Sequence, residues 1–322
     1  MSGSALSASP IALGTAAFGD NDRGCWNVGE YRAHRLVRHA FDRGVTLFDT
    51  GSSYGGGLAE RRLGDALASI GHRDAVQIVT KLFFPSTAGG ADGGLSRAAM
   101  TATLDRSLSR LRTDHVDMLM IHRWDPQVPL DETLAALDSF VRSGRVRSLG
   151  ASSMSAWRLM KALSLQRHAG YAPFAAMQGY YNFLYREEER EMIPLCREEG
   201  LHYMAWSPLA RGRLAGPAAD RGRLAADPLA AARHDDAVDA PVLAALDTVS
   251  AETGIPQAAL ALRWLRERGA QPVIGASTEA EINIAVNAVT SPMPMPDLSP
   301  VERAYRPHAV LGFDPKAEQA VD

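Results

Sequence analysis

Short apolar runs alternate with longer amphipathic stretches along most of the chain. Eight of the runs have the length and the apolar, β-branched character of strands. They are Ile11–Thr15, Thr46–Asp49, Val76–Lys81, Met118–His122, Ser148–Ser152, Ala175–Gln178, Tyr203–Trp206 and Pro272–Gly275. Apolar residues at helical spacing lie between them, as in Tyr31–Arg43 and Leu95–Leu111. A further helix is predicted to be capped by Asp131 and to stop at Gly144.

A regular β-then-α alternation implies parallel strands joined by right-handed crossovers. Eight such units in 322 residues favour a protein of the α/β class with a closed (β/α)8 (TIM) barrel over a doubly wound sheet. The turn GTAAFG after the first strand also lacks the G-x-G-x-x-G spacing of a dinucleotide-binding doubly wound sheet. We expect one domain over residues 1–322, with a long loop at about 209–240 and an irregular, Pro-rich tail from about 291.

Composition and charge restrict the classes of partner. The chain is 46% hydrophobic with a net charge of −3, which favours neither nucleic acid nor an anionic membrane surface. It has no apolar run of the roughly 20 residues that cross a bilayer. Cys25 and Cys196 are the two cysteines, and neither has C-x-x-C spacing, which predicts a reducing compartment. Because the first ten residues resemble no secretory signal, we expect a cytoplasmic protein.

Four polar residues at or just after strand ends suggest a chemistry. The carboxyl ends of the strands carry the active site in a (β/α)8 barrel, and here they supply Asp49, Lys81 and His122, with Tyr54 in the loop after Asp49. Reduction of a carbonyl by a nicotinamide requires a proton donor, a cation that favours the phenolate, a carboxylate that fixes this cation, and a donor to the carbonyl oxygen. Each residue alone would more often be structural. Their convergence at three strand ends favours catalysis.

Seven segments resemble the aldo-keto reductase family, in family order over about residues 11–290. They are FDTGSSYGGGLAERRLGDAL, VTKL, DMLMIHRWDP, LGASS, MQGYYNFLYREEE, WSPLARGRL and VIGAST. The run YREEEREMIPLCREEG, with SPLARGRL, is similar to the bacterial subgroup with larger loops. The resemblance implies the same four catalytic residues and a metal-free reduction of an aldehyde or ketone with NADP(H) or NAD(H).

The resemblance also implies a cofactor path. Its predicted contacts are Gly14, Thr15, Ala16, Asp49, Ser152, Ser153, Gln178, Trp206, Ser207, Pro208, Leu209, Ala210, Gly212, Arg213, Gly275, Ser277, Thr278 and Glu281. Trp206 is expected to stack on the nicotinamide, and residues 207–213 to wrap the pyrophosphate. NADP-preferring relatives bind the 2′-phosphate with a basic residue after strand eight, but the segment GASTEAEINIAVNAV has none, and Glu279 or Glu281 would repel a phosphate. The choice between NADP and NAD therefore stays open.

Trp26 and Trp124 are predicted either to wall the pocket of a small carbonyl substrate, together with Tyr54 and His122, or to pack under a loop. Two alternatives remain: a nicotinamide-binding accessory or sensor protein with little turnover, and a lyase or isomerase that forms a Schiff base on Lys81. The run Glu187–Glu189 is interpreted as acidic charge at the start of a helix. The physiological substrate and the oligomeric state are not predicted.

Overall fold

A computed structural model of the chain describes residues 6, 9–19, 27–86, 90, 92–216 and 233–310. Eight parallel strands form a closed barrel in chain order, with the last strand beside the first. The strands are β1 Ala12–Gly14, β2 Leu47–Asp49, β3 Gln77–Leu82, β4 Val116–Ile121, β5 Val146–Ser152, β6 Phe174–Tyr180, β7 His202–Trp206 and β8 Ala270–Gly275. The predicted (β/α)8 barrel is confirmed.

Helices surround the barrel. In chain order they are α1 Glu30–Asp42, α2 Leu58–Ile70, α3 Arg97–Leu111, α4 Leu130–Arg142, α5 Ala156–Ala169, α6 Met192–Glu198, α7 Asp236–Thr253, α8 Gln257–Glu267, α9 Glu279–Thr290 and α10 Ser299–Ala304. Short 3-10 helices cover Tyr54–Gly57, Arg73–Ala75, Glu187–Glu189 and Ala210–Ala215. None of the helices in the described ranges is long and apolar enough to cross a membrane.

The start of α4 differs from the prediction. The residue before the helix is Pro129, and Asp131 lies inside the first turn, so Asp131 is not the cap. Proline at this position has a fixed φ and lacks an N–H, so it precedes a helix without losing a hydrogen bond. The neighbouring Glu132 instead accepts the backbone N–H of Arg97 at 3.0 Å, at the start of α3. The helix stops as expected, because Gly144 has a φ of +77° just after it.

Small and flexible apolar side chains fill the barrel. The interior cluster contains Leu6, Ala12, Leu47, Val79, Met118, Met120, Ala176, Met204 and Val273. A Cβ on Gly150 would lie 2.8 Å from the Cγ atom of Met120, so the absence of a side chain on β5 leaves room for the methionines of β4. Methionine suits such an irregular space because its chain is unbranched and flexible.

This interior explains where the polar strand ends point. Residues two apart on a strand share a face, so Leu47 and Val79 in the barrel place Asp49 and Lys81 above them on the same side. Met120 does the same for His122, and Ala176 for Gln178. The polar side chains therefore converge at the carboxyl ends of the strands.

Two predicted irregular segments are only partly described. The loop expected at about 209–240 is described as far as residue 216 and again from residue 233. In the tail, residues 291–298 form no helix, and the six-residue helix α10 follows them. Beyond it, the Tyr305 hydroxyl donates to Glu187 Oε1 at 2.6 Å, which holds the tail against the barrel.

Candidate active site

Lys81 lies at the centre of the predicted catalytic group, and its side chain is fully buried. Its Nζ atom is 2.5 Å from Asp49 Oδ1, 2.9 Å from the carbonyl oxygen of Thr50 and 3.4 Å from the Tyr54 hydroxyl. Burial disfavours the ammonium, but the Asp49 carboxylate and the Tyr54 hydroxyl outweigh burial, so the pKa of Lys81 is raised. Lys81 is therefore a cation held between an anion and a phenol.

A glycine-rich turn positions Tyr54. Gly55, Gly56 and Gly57 follow it with φ values of +58°, +65° and +92°, which L side chains rarely adopt. Before it, a Cβ on Gly51 would lie 3.3 Å from the Tyr54 ring, so the ring packs closely on this backbone. Burial raises the pKa of Tyr54, and the nearby Lys81 ammonium offsets only part of this effect. The hydroxyl thus keeps its proton at neutral pH.

His122 follows β4, and its ring meets the ring of Tyr54 edge-on, with the centres 5.7 Å apart. Burial, with added repulsion from Arg123 and Lys81, lowers the pKa of His122 well below its usual value. The imidazole is consequently neutral at neutral pH and can donate one N–H. The structure thus brings Asp49, Tyr54, Lys81 and His122 together.

Other residues of this centre were not predicted from the sequence. Phe84 packs edge-on against the His122 ring at 5.0 Å, and Arg123 lies 5.4 Å from the Phe84 ring centre. Phe83 has a φ of +152°, a strained value for a non-glycine residue of the kind that concentrates at functional sites. The only indication in the sequence is that two phenylalanines, Phe83 and Phe84, directly follow the third strand. Of the predicted pocket walls, Trp124 is partly buried against the core, whereas Trp26 lies outside the described residues.

A second polar group lies beside the first on β5, β6 and β7. Gln178 donates to Asp49 Oδ2 at 2.8 Å, and the Trp206 indole N–H donates to Ser153 Oγ at 3.1 Å. The hydroxyls of Ser152 and Ser153 are 3.3 Å apart. Asp49 thus connects this group to Lys81, because one of its carboxylate oxygens accepts from Gln178 and the other from Lys81.

Tyr180 covers one face of Trp206, with ring centres 4.5 Å apart and planes 23° apart. The guanidinium carbon of Arg233 is 5.0 Å from the Trp206 ring centre and 5.8 Å from that of Tyr180. A cation on the opposite face of Trp206 would lie much farther from Tyr180, so Arg233 sits beside the stack. The sequence did not identify Tyr180, because an aromatic residue in a strand is indistinguishable from core.

The segment after β7 has an unusual backbone. Ser207, Ala210, Arg211 and Gly212 all have positive φ, at +48°, +48°, +55° and +110°. Two of its N–H groups bond within the segment: that of Ala210 donates to the Ser207 carbonyl and that of Gly212 to the Leu209 carbonyl, both at 2.9 Å. Pro208 and Leu209 lie within this segment. The segment is a tight turn after β7, and its contact with a diphosphate stays a prediction.

Arg213, predicted at the pyrophosphate, is buried and already engaged. Its Nη2 atom is 2.7 Å from Asp236 Oδ1, and its Nη1 atom is 3.7 Å from Asp239 Oδ2. On β1, which lies between β8 and β2, Gly14 pairs with Gly275 and with Asp49, and Thr15 donates through its hydroxyl to the Asp49 carbonyl at 3.1 Å. Ala16, next to Thr15, is exposed.

The N-terminus of α9, after β8, already holds a carboxylate. Glu281 Oε2 accepts the backbone N–H groups of Ser277 at 2.6 Å and Thr278 at 3.2 Å, and the Glu281 N–H donates back to the Thr278 hydroxyl. This is a capping box. Glu279 pairs with Arg35 of α1 at 2.7 Å. Gly275 is exposed, and a Cβ there would meet nothing within 4 Å.

A closed parallel barrel with a buried Asp–Lys pair, a protonated tyrosine and a neutral histidine at its strand ends defines a barrel enzyme equipped for acid–base chemistry. A sequence model of the Aldo/keto reductase family matches residues 10–306, so the chain belongs to that family. It is therefore an oxidoreductase, of a family that reduces small carbonyl compounds with NAD(P)H. The subgroup with larger loops stays a prediction.

Curated relatives agree with this family. Versiconal hemiacetal acetate reductase of Aspergillus parasiticus is 33% identical over 95% of this chain and 96% of its own length. Aldo-keto reductase AFTS1 of Alternaria alternata is also 33% identical, over 96% and 92%. A putative aryl-alcohol dehydrogenase of Saccharomyces cerevisiae, AAD16, is 30% identical over 94% and 95%.

Proposed function

We propose that this protein reduces an aldehyde or ketone to an alcohol, with Tyr54 as the proton donor. One observation carries this proposal: the Lys81 ammonium lies within 3.4 Å of the Tyr54 hydroxyl and is fixed on its other side by Asp49. A tyrosine with a buried cation beside it can lose its proton during a reaction without leaving an unpartnered phenolate.

Proton transfer follows from these positions. A bound nicotinamide would supply a hydride to the carbonyl carbon, and negative charge would develop on the carbonyl oxygen. Because an alkoxide is a far stronger base than a phenolate, Tyr54 donates its proton to the alkoxide oxygen. Lys81, 3.4 Å away, stabilises the phenolate that remains, and Asp49 keeps Lys81 in place at 2.5 Å. Tyr54 recovers its proton from water before the next turnover.

His122 orients the substrate in this scheme. Its lowered pKa leaves it neutral, so it donates an N–H to the carbonyl oxygen without competing with Tyr54 as an acid. The rings of His122 and Tyr54 are in edge contact, which supports a carbonyl oxygen bound between the two side chains. Phe84 supplies aromatic surface next to His122, which favours apolar or aromatic carbonyl substrates.

The residues on β5–β7 would hold the nicotinamide. Trp206 has Tyr180 behind one face, so its other face is the one that would stack on the cofactor ring. Ser152, Ser153 and Gln178 lie beside it, and they would bind the carboxamide. The positive-φ segment 207–212 would receive the diphosphate.

The capping box on α9 bears on the choice of nucleotide. A 2′-phosphate at this helix end would compete with the Glu281 carboxylate for the N–H groups of Ser277 and Thr278. We therefore propose that NADH is accepted along with NADPH. Titrations of both, followed by tryptophan fluorescence, should give dissociation constants within about a hundredfold, or roughly 2.7 kcal/mol. Tighter NADPH binding than this would refute the proposal.

The central test is Tyr54→Phe, which removes the hydroxyl and keeps the ring. We expect reduction of an aldehyde panel to fall by about 10²–10⁴-fold, the usual contribution of a general acid, while the Kd for NADPH changes little. Tyr31→Phe is the matched control, since Tyr31 is 78% exposed on α1. Near wild-type turnover by Tyr54→Phe would remove Tyr54 from the role.

The same experiments separate the two alternatives. A sensor protein would bind NADPH without turnover of any panel member. A Schiff-base enzyme would be trapped by borohydride on Lys81 in the presence of its substrate. The raised pKa of Lys81 disfavours the Schiff-base alternative, because it keeps the amine protonated and non-nucleophilic at neutral pH.

A further inference from the structure

Arg110 of α3 contacts the turn that carries Tyr54 on both sides of that residue. Its Nη1 atom donates to the carbonyl oxygen of Ser52 at 3.1 Å, two residues before Tyr54. Three residues after Tyr54, a Cβ on Gly57 would lie 2.3 Å from the Arg110 Cζ atom, so the guanidinium lies directly against the Gly57 backbone. The Arg110 guanidinium thus contacts the segment 52–57 near both of its ends.

Glu60 fixes this guanidinium. It is fully buried at the start of α2, and its Oε2 atom accepts the same Arg110 Nη1 at 3.2 Å. Its other oxygen accepts the Thr80 hydroxyl at 2.6 Å, on β3 directly before Lys81. A buried carboxylate is costly unless it is well partnered, and both oxygens of this one have partners. Glu60 thereby ties Arg110 to the strand that supplies Lys81.

We propose that Arg110, held by Glu60, is a positioning residue that keeps the Tyr54 hydroxyl next to Lys81. The three glycines after Tyr54 leave the turn intrinsically flexible, so its conformation depends on such outside contacts. The 3.4 Å separation between Tyr54 and Lys81 is already long for a hydrogen bond. A small movement of the turn would therefore break it.

Arg110→Met tests this by removing the guanidinium and keeping an apolar chain of similar reach. Arg112→Met is the matched control, because Arg112 also joins α3 to α2, through Asp65 at 2.9 Å, on an exposed surface. With benzaldehyde and NADPH, Arg110→Met should lower kcat by about 10–100-fold, with KM and the Kd for NADPH within about threefold of wild type. Arg110→Lys, which keeps the cation, should recover most of this loss.

Hydrogen exchange of the segment 50–57 provides a readout that needs no turnover. Exchange there should be faster in Arg110→Met and unchanged in Arg112→Met. A kcat of Arg110→Met equal to that of Arg112→Met, or equal losses of kcat and NADPH affinity, would overturn the proposal. If Arg110→Met does not fold, Glu60→Gln replaces it in the same two measurements, kcat and the exchange of residues 50–57. This variant keeps the Thr80 contact and removes the charge that holds Arg110.

This inference rests on the proposed role of Tyr54, but the two fail differently. If wild type binds NADPH and reduces no carbonyl compound, the proposed function fails, while exchange of residues 50–57 still decides the role of Arg110. If wild type is active, and Tyr54→Phe is not, unchanged exchange and kcat in Arg110→Met reject the role of Arg110 alone.

Discussion

The buried Asp49–Lys81 pair makes a quantitative prediction about stability. The exposed fraction is 3% for the Asp49 side chain and 0% for that of Lys81, so water cannot replace a lost partner. Removing one member of such a pair typically costs about 3–5 kcal/mol, because the other charge stays buried. We expect Asp49→Asn and Lys81→Met each to lower the free energy of unfolding by an amount near this range. That is a large part of the roughly 5–15 kcal/mol of a typical protein.

The double variant Asp49→Asn/Lys81→Met should lose much less than the sum, because neither charge is then left alone. Urea unfolding of the four proteins at pH 7 gives the coupling energy directly. We expect it to be at least about 2 kcal/mol and nearly independent of salt, since buried pairs are poorly screened. The loss for Asp49→Asn should lie at the lower end of the range of about 3–5 kcal/mol. Thr50 and Tyr54 still contact the Lys81 ammonium and partly satisfy it when Asp49 is replaced.

The matched comparison is the pair Arg112–Asp65. It has a similar separation, 2.9 Å, but its side chains are 60% and 30% exposed. Surface pairs usually contribute about 0.2–1 kcal/mol, and this coupling should fall in salt. A coupling for Asp49–Lys81 no larger than that for Arg112–Asp65 would refute the view that burial makes this pair indispensable.

Two further predictions concern pH. Burial and the charges of Arg123 and Lys81 lower the pKa of His122, so the free energy of unfolding is fully retained above the unfolded pKa of about 6.5 and falls as pH drops below it. In urea unfolding between pH 7 and 5, His122→Gln should therefore lose stability less steeply than wild type, by up to about 1.4 kcal/mol per pH unit. The exposed control His168→Gln should follow wild type. Burial raises the pKa of Glu188 to about 8, so the stability that depends on its neutral form is complete below about pH 4.5 and is lost as pH rises towards 8. The difference in unfolding free energy between Glu188→Gln and wild type should therefore be roughly 3–5 kcal/mol more favourable to the variant at pH 9 than at pH 4. The same difference at both pH values would contradict this.

The barrel and its central residues could be predicted because each depends on local sequence. An apolar run that ends in Asp49 or Lys81 indicates where the strand lies. It also indicates which side chains share the face of the polar residue, since side chains alternate along a strand with a period of two. Gly144 and the helical spacing of Leu104, Leu108 and Leu111 likewise act within one element. No neighbouring element has to be known for such predictions.

Contacts between distant elements could not be predicted in this way. Arg110 reaches Ser52 across 58 positions, and its contact depends on the rotation of α3 against α2. The sequence predicts that Glu187–Glu189 is acidic charge at a helix start, but the structure buries Glu188 behind β6, where a Cβ on Gly179 would lie 3.2 Å from its carboxyl carbon. Sequence spacing carries no information on which glutamate a neighbouring strand will cover.

Asp49 shows how one strand end can serve both halves of the site. Its Oδ1 atom binds Lys81, and its Oδ2 atom accepts from Gln178 on β6, among the residues proposed for the nicotinamide. A change at Lys81 leaves the second contact in place, whereas a change at Asp49 alters both. We therefore expect Lys81→Met to reduce kcat with the NADPH Kd almost unchanged, and Asp49→Asn to affect both. Because the two oxygens are rigidly joined, the same carboxylate would position Lys81, beside the proton donor, and Gln178, beside the nicotinamide.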